Sequence, residues 1–402
     1  MKHRSLWFKI TLSLLAALAP TSGFADGTGP FDPVSFEEGI VFSHPEGRYK
    51  TALRFRIQNL LELRSFSGSD LGIEEIRGRV RRARIRMSGH VVNPRLTYQL
   101  QLSLSREDQD WNESQFPNVL RDANFTYALI QDPDQTLSIS FGQGKLPGNR
   151  QRVISSGDLQ FADRSLVNRT FNIDRDFGIQ GHYKREQWNL KGSLSSGEGR
   201  NLSFPSDSGL AWVIRAEVLP FGPFIGKEDY VEGDLKHHEQ LRMSLGMTRA
   251  VFKNSNRAGG TIGTFFTTTG DPNTGTPIRS DQTVHLFDLI AKYRGWSLLA
   301  ELADRSSPNG VLSPTQALFE GMGWMVQSGY LFSDRWEVVG RFARISPESK
   351  SKVDSRNTLL AQSTAGLNYY LDGHRVKAQM DLTRQSLTDP AWVTRFNLEI
   401  GI

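Results

Sequence analysis

The chain has 402 residues, 23% of them charged and 38% hydrophobic, with no cysteine and a formal charge of +5. The absence of cysteine excludes disulfide frameworks, thiolate metal sites and thiol nucleophiles. The charge shrinks once the N-terminus is set aside: without Lys2, Arg4 and Lys9 there remain 45 basic against 43 acidic residues. Electropositive chemistry must therefore rest on where the arginines sit, and the balance gives no argument for a nucleic-acid partner.

Residues 1–25 have the three parts of a secretory signal peptide: a basic start, the apolar run Ile10 to Leu18, and the small-residue site Gly23-Phe24-Ala25. The run falls short of the roughly 20 residues a spanning helix needs, and no later apolar stretch approaches that length. Residues 26–50 lead into the body of the protein. An exported chain of this kind is soluble, secreted or a β-barrel.

From residue 51 onward the dominant signal is alternation with period two, the mark of strands with one apolar and one polar face. Leu53, Phe55, Ile57, Leu61 and Leu63 alternate with Arg54, Arg56, Gln58 and Glu62, Leu60 being the exception. Ala83, Ile85, Met87 and Val91 oppose Arg82, Arg84, Arg86, Ser88 and His90, and Leu96 to Leu104 repeats the pattern. Further strands are expected at 122–130, 136–145, 175–184, 187–195, 210–219, 240–250, 283–293, 295–304, 320–332, 335–345, 361–371, 374–384 and 391–402.

The connections alternate in length. Val92-Asn93-Pro94, Asp132-Pro133-Asp134, Arg185-Glu186, Arg294-Gly295, Ser333-Asp334 and Asp372-Gly373 are tight turns, and long segments lie between them. The pattern predicts an all-β fold, a transmembrane antiparallel β-barrel of about 16 strands over residues 51–402, with short periplasmic turns and long extracellular loops. A soluble sandwich also alternates, but its loops need not sort by length. Residues 220–239 fall where a tight turn is due, and the pattern offers no account of them.

With apolar faces toward lipid, the polar faces line a wet lumen. Arg54, Arg56 and Arg64 on the first strand and Arg82, Arg84 and Arg86 on the second form a basic ladder suited to anions; the competing reading pairs it with Glu62, Glu74, Glu75, Asp288, Glu301, Glu337 and Asp381. The loop 146–174 carries Arg150, Arg152, Arg164 and Arg169, with Lys145 at its entry. Folded inward it would constrict the pore; the alternative is an outward-lying, solvated loop. Enzyme signatures fail. There is no Gly-x-Ser-x-Gly elbow, His237-His238-Glu239 lacks the second spaced histidine of a zinc helix, and Gly222 to Lys227 is one residue short of a phosphate-binding loop. Neither enzyme activity nor a cofactor is expected.

Several segments carry a family resemblance. They include Arg54-Phe55-Arg56-Ile57-Gln58, Arg81-Arg82-Ala83-Arg84-Ile85, Phe141-Gly142-Gln143-Gly144-Lys145-Leu146-Pro147, Trp336 to Arg341, and Gly366-Leu367-Asn368-Tyr369-Tyr370-Leu371. In order and spacing they resemble the phosphate-selective porin O and P family of Gram-negative outer membranes. The resemblance implies a sixteen-stranded barrel in outer-membrane lipid, a homotrimer, a loop folded into each pore, and basic residues that select small anions such as phosphate. Arg56, Arg82, Arg84 and Lys145 fall in the matching segments. The chain departs from barrel habit in ending on Ile402 rather than an aromatic residue. Two other readings stay open: a non-selective general porin, and a plugged adhesive barrel that binds a surface partner through loops such as the Gly- and Thr-rich segment 251–282.

Overall fold

The computed structural model describes residues 39–68, 70–108, 110–111, 117–201, 209–255, 280–308, 311–313, 316–317, 320–348, 360–386 and 391–402. The expected signal segment and most of segment 251–282 lie outside the described residues.

Sixteen strands form the wall. They are β1 Tyr49–Ser65, β2 Glu75–Val91, β3 Leu96–Ser103, β4 Leu120–Gln131, β5 Gln135–Lys145, β6 Arg175–Arg185, β7 Trp188–Ser195 and β8 Ala211–Val218. The second half comprises β9 Arg242–Ser255, β10 Ser280–Tyr293, β11 Trp296–Ser306, β12 Gly321–Ser333, β13 Trp336–Pro347, β14 Ala361–Asp372, β15 Val376–Ser386 and β16 Ala391–Gly401. Each pairs antiparallel with the next, and β16 returns to β1 from Arg56↔Gly401 to Ser65↔Trp392, which closes the sheet and removes its edges. A short strand, Ile40–Ser43, pairs with the stretch of β1 that β16 does not reach.

Alternation explains why these segments are strands of a membrane barrel. The outward side chains are apolar and uncovered: Phe125 is 59% exposed, Ile214 60% and Met247 52%. A band of this kind is what lipid covers. At the tight-turn rim Trp296 stacks on Tyr330 at 4.5 Å and Trp336 tilts against Tyr369 at 4.8 Å, each pair formed by directly opposed residues of neighbouring strands. Between β10 and β11, Arg294 (φ 46°) and Gly295 (φ 83°) both take left-handed backbone, as the primed two-residue turn requires.

Of the bulges that interrupt the period, two bear on the lumen. In β2, Arg81 is the extra residue between the pairs Gln58↔Arg82 and Asn59↔Val80; in β4, Arg121 is extra between Gln101↔Asp122 and Leu102↔Leu120. A bulge lets consecutive residues share a face. Arg81 with Arg82, and Arg121 with Asp122, accordingly both turn inward.

The wet lumen expected from the sequence needs correction, because one side of it is filled, by an apolar cluster and a buried polar network. Residues 146–174 leave the long-loop rim and fold inside as two short helices, α1 Arg150–Val153 and α2 Leu166–Phe171, the latter capped by Ser165 Oγ accepting from Asn168 N at 3.1 Å. Leu166, Val167 and Phe171 share one buried cluster with inward residues of β8 to β13, among them Val213, Phe252, Leu286, Leu299, Met325 and Ala343. Burying these faces excludes water from that side of the barrel. Residues 219–241, which had no account, fold inward from the opposite, tight-turn rim: Asp229, Glu232, Asp234 and His238 are all buried.

Candidate functional site

What the infolded segments leave open lies against β1 to β6 and β13 to β16. Facing the loop, β2 presents Arg79, Arg81, Arg82, Arg84 and Arg86 in sequence, a run the bulge makes possible. Three polar cavities follow this wall. The largest, about 620 Å³, opens toward the long-loop rim and is lined by twelve arginines against four carboxylates. A second, about 340 Å³, is lined by Arg84, Arg86, Lys145 and Arg175 with Asp122. The third, about 230 Å³, lies toward the tight turns with Arg54, Arg56, Arg84, Arg86, Arg375 and Asp158. Arg84 lines all three and so stands where they converge.

The loop tip reaches across to this wall. Ser156 Oγ accepts from Arg56 at 2.6 Å and from Arg84 at 2.8 Å, and Gly157 lets the backbone come close to Arg56, whose guanidinium a Cβ would meet. Arg82 donates to the Ala162 carbonyl at 3.0 Å and to Gln58 Oε1. Asp163 carries the loop's carboxylate to Arg81 at 2.9 Å and Arg82 at 3.4 Å. Burial alone would raise the Asp163 carboxyl, but these guanidiniums outweigh it and hold it well below the usual carboxylate range. Asp158 goes the other way: burial exceeds the pull of Lys377 and Arg56, and its carboxyl is raised.

The remaining candidates divide. Lys145 donates to the carbonyls of Val153 (2.9 Å) and Ile154 (3.3 Å), Arg164 to those of Gln151 and Ile154 (both 2.7 Å), and Arg152 pairs with Asp174; all three line a basic cavity, as does Arg169. Arg86 donates to Gln99 at 2.8 Å. Arg150 stands apart. It is fully buried on the filled side, bound to Asp288 at 2.7 Å and Glu217 at 3.3 Å, with Arg215 sharing both acids. It anchors the loop and lines none of the three cavities. The competing carboxylate reading is met in part. Glu62 binds Arg64 (2.6 Å) and Arg395 (3.0 Å), Asp381 binds Arg395 (3.1 Å), and Glu75 lies 3.9 Å from Arg64, but Glu337 accepts from Tyr370, Asn368 and Gln160 instead.

Sequence reasoning missed Arg79, Arg81, Arg121, Arg200, Arg341 and Arg395 on the large cavity. Parity alone would have placed Arg341 and Arg395, inward on β13 and β16. Arg79 and Arg81 were masked by the bulge. Among the described residues no cluster of three histidines or carboxylates is placed to hold a metal ion.

A family comparison bears on this architecture. Residues 57–238 match phosphate-selective porin O and P. The porin match runs from β1 through the arginine strand, the infolded loop and nearly all of the second infolded segment, so it covers the elements that shape the lumen. Solved structures agree on the fold. A loop-deletion mutant of OmpT, an outer membrane protein of Vibrio cholerae, superposes with a TM-score of 0.55 at 13% identity, over 88% of this chain and 100% of that one. A mutant of the Rh. blastica porin gives 0.51 at 12% identity, again over 88% and 100%. No curated protein matches the sequence. The match over residues 57–238 and the porin-like barrel together support an outer-membrane porin.

Proposed function

We propose that this porin is a passive, anion-selective diffusion channel for small oxyanions of the phosphate type, exported by a cleaved signal peptide at residues 1–25 and assembled as a homotrimer in the outer membrane. One observation carries the reading: the large cavity is lined by twelve arginines and four carboxylates, and Arg84 links it to the cavities below. Guanidinium forks stay charged at any physiological pH and match the paired oxygens of an oxyanion better than a spherical halide. A succession of such sites, none enclosing its ligand, favours entry and still permits departure. Solute moves down its gradient and no bond is made or broken.

The reversal potential of single channels in a planar bilayer under a salt gradient tests this, with the Arg82, Arg84, Arg86→Gln triple variant beside the parent. The parent channel is expected to be anion-selective and blocked by added phosphate. The triple variant should lose about tenfold in anion preference, since each charge removed from a wet lumen weakens the field by on the order of 1 kcal/mol or less. An unchanged reversal potential in the variant would reduce the arginines to wall charges. The contacts of Ser156 and Ala162 with the arginine wall favour one other reading, a plugged barrel, and absence of any conductance would establish it.

A further inference from the structure

The second infolded segment has no role in the reading above, yet it is held as firmly as the loop it meets. Residues 219–241 enter at the tight-turn rim between β8 and β9 and cross to the turn between β14 and β15, where His374 Nε2 donates to the Glu232 carbonyl at 2.8 Å. Along the way Lys292 of β10 pairs with Glu228 at 2.7 Å, and the Gly295 amide donates to Asp234 at 2.8 Å. The segment is therefore pinned to the wall at several points.

At its centre Glu232, only 1% exposed, faces the underside of the constriction loop. Its carboxylate accepts from the Gln160 amide (2.8 Å) and the Gln151 side chain (3.1 Å) of the loop, and from Gln327 of β12 (2.8 Å). Its own amide donates to the Asp158 carbonyl at 2.9 Å. One side chain thus joins the brace, the wall and two separate turns of the loop. No cation pairs with Glu232 among the described residues; neutral donors hold it. A carboxylate can accept from all three donors at once, which an amide of the same shape cannot.

We infer that segment 219–241 is a brace, built into the barrel from the side opposite the constriction loop, and that Glu232 is the positioning residue through which it fixes the loop and sets the bore. The inference needs a water-filled pore but not anion selectivity. It concerns the width and steadiness of the path rather than its charge.

The test is Glu232→Ala in the full-length channel, read by single-channel conductance and by liposome swelling with neutral sugars of graded size. Assembled channels should show a broadened or multi-level conductance in place of one level, and a raised exclusion limit for sugars. The backbone amide of Gln160 should exchange about tenfold faster, because it loses a hydrogen bond to a buried charge. Gln327→Leu, which removes the wall's donor and leaves brace and loop intact, should move the same readouts less, and stands in if Glu232→Ala assembles poorly. A single wild-type conductance level and an unchanged exclusion limit in both variants would overturn the brace. Neutral sugars do not sense the arginines, so a failure here and a failure of anion selectivity are read separately.

Discussion

Asp163 is the loop's own anion on an arginine wall. Its carboxylate occupies positions on Arg81 and Arg82 that a permeating oxyanion would otherwise contact. Asp163→Asn keeps the shape and removes the charge, so phosphate block should tighten by about tenfold while chloride conductance changes little, as charge-assisted contacts are roughly twice as strong as neutral ones. Titrating phosphate against single-channel current measures this; an unchanged blocking constant would mean that those arginines lie off the path. Asp158 offers a pH test. Its carboxyl is raised above the ordinary range despite Lys377, Arg56 and Lys145 nearby, with Glu399 adding to the rise. Burial therefore lets it take up its proton at a higher pH than an ordinary aspartate and well before Asp163, and that proton removes one negative charge from the lower cavity. Anion preference should rise as the medium is acidified from neutral toward the ordinary carboxylate range, whereas Asp163, whose carboxyl is depressed, stays ionised there. In Asp158→Asn the preference should already be high and this rise absent.

At the level of the strand, the bulge in β2 decides how many cations face the water. Deleting a residue from a regular strand turns everything on one side of the cut to the opposite face. Deleting Arg81 should not, because Arg81 is the surplus residue and Arg79 keeps its inward register opposite Leu60. That variant should assemble normally, judged by its heat-modifiable folded band, and lose part of its anion preference. Deleting Ile85 from the regular part of the same strand should abolish assembly, since arginines turned toward lipid cost about 2–4 kcal/mol each near the midplane. The same physics explains what could be read in advance. The sixteen strands were legible because lipid favours apolar residues on most outward positions, whatever lies inside. The inward placement of Arg79 and Arg81 was not, because a bulge leaves no mark in a two-residue period. Nor was the brace: Glu232 meets Gln160 and Gln327 at separations of 72 and 95 residues, and no local pattern joins them. The apolar inner wall did leave a trace, in adjacent apolar pairs such as Leu298-Leu299 and Phe342-Ala343, where both faces of a strand need hydrophobic residues.

Taken whole, the molecule joins a dry side and a wet side within one closed sheet. On the dry side Phe171 is 1% exposed, with the Arg305 guanidinium over its ring at 5.4 Å. Phe171→Ala should cost about 3–5 kcal/mol, and more of the loss should fall on α2 docking than on the wall. Denaturant titration followed by tryptophan fluorescence measures the cost, and the reversal potential of channels that still assemble should move little. On the wet side, cavities border β1 to β6 and β13 to β16, and side chains there answer to solutes as much as to neighbours. This division bears on how such a protein changes over generations. Substitutions on the wet wall leave the packed cluster of the other side in place, so the charge a lumen presents can change from one generation to another while that cluster is inherited unchanged.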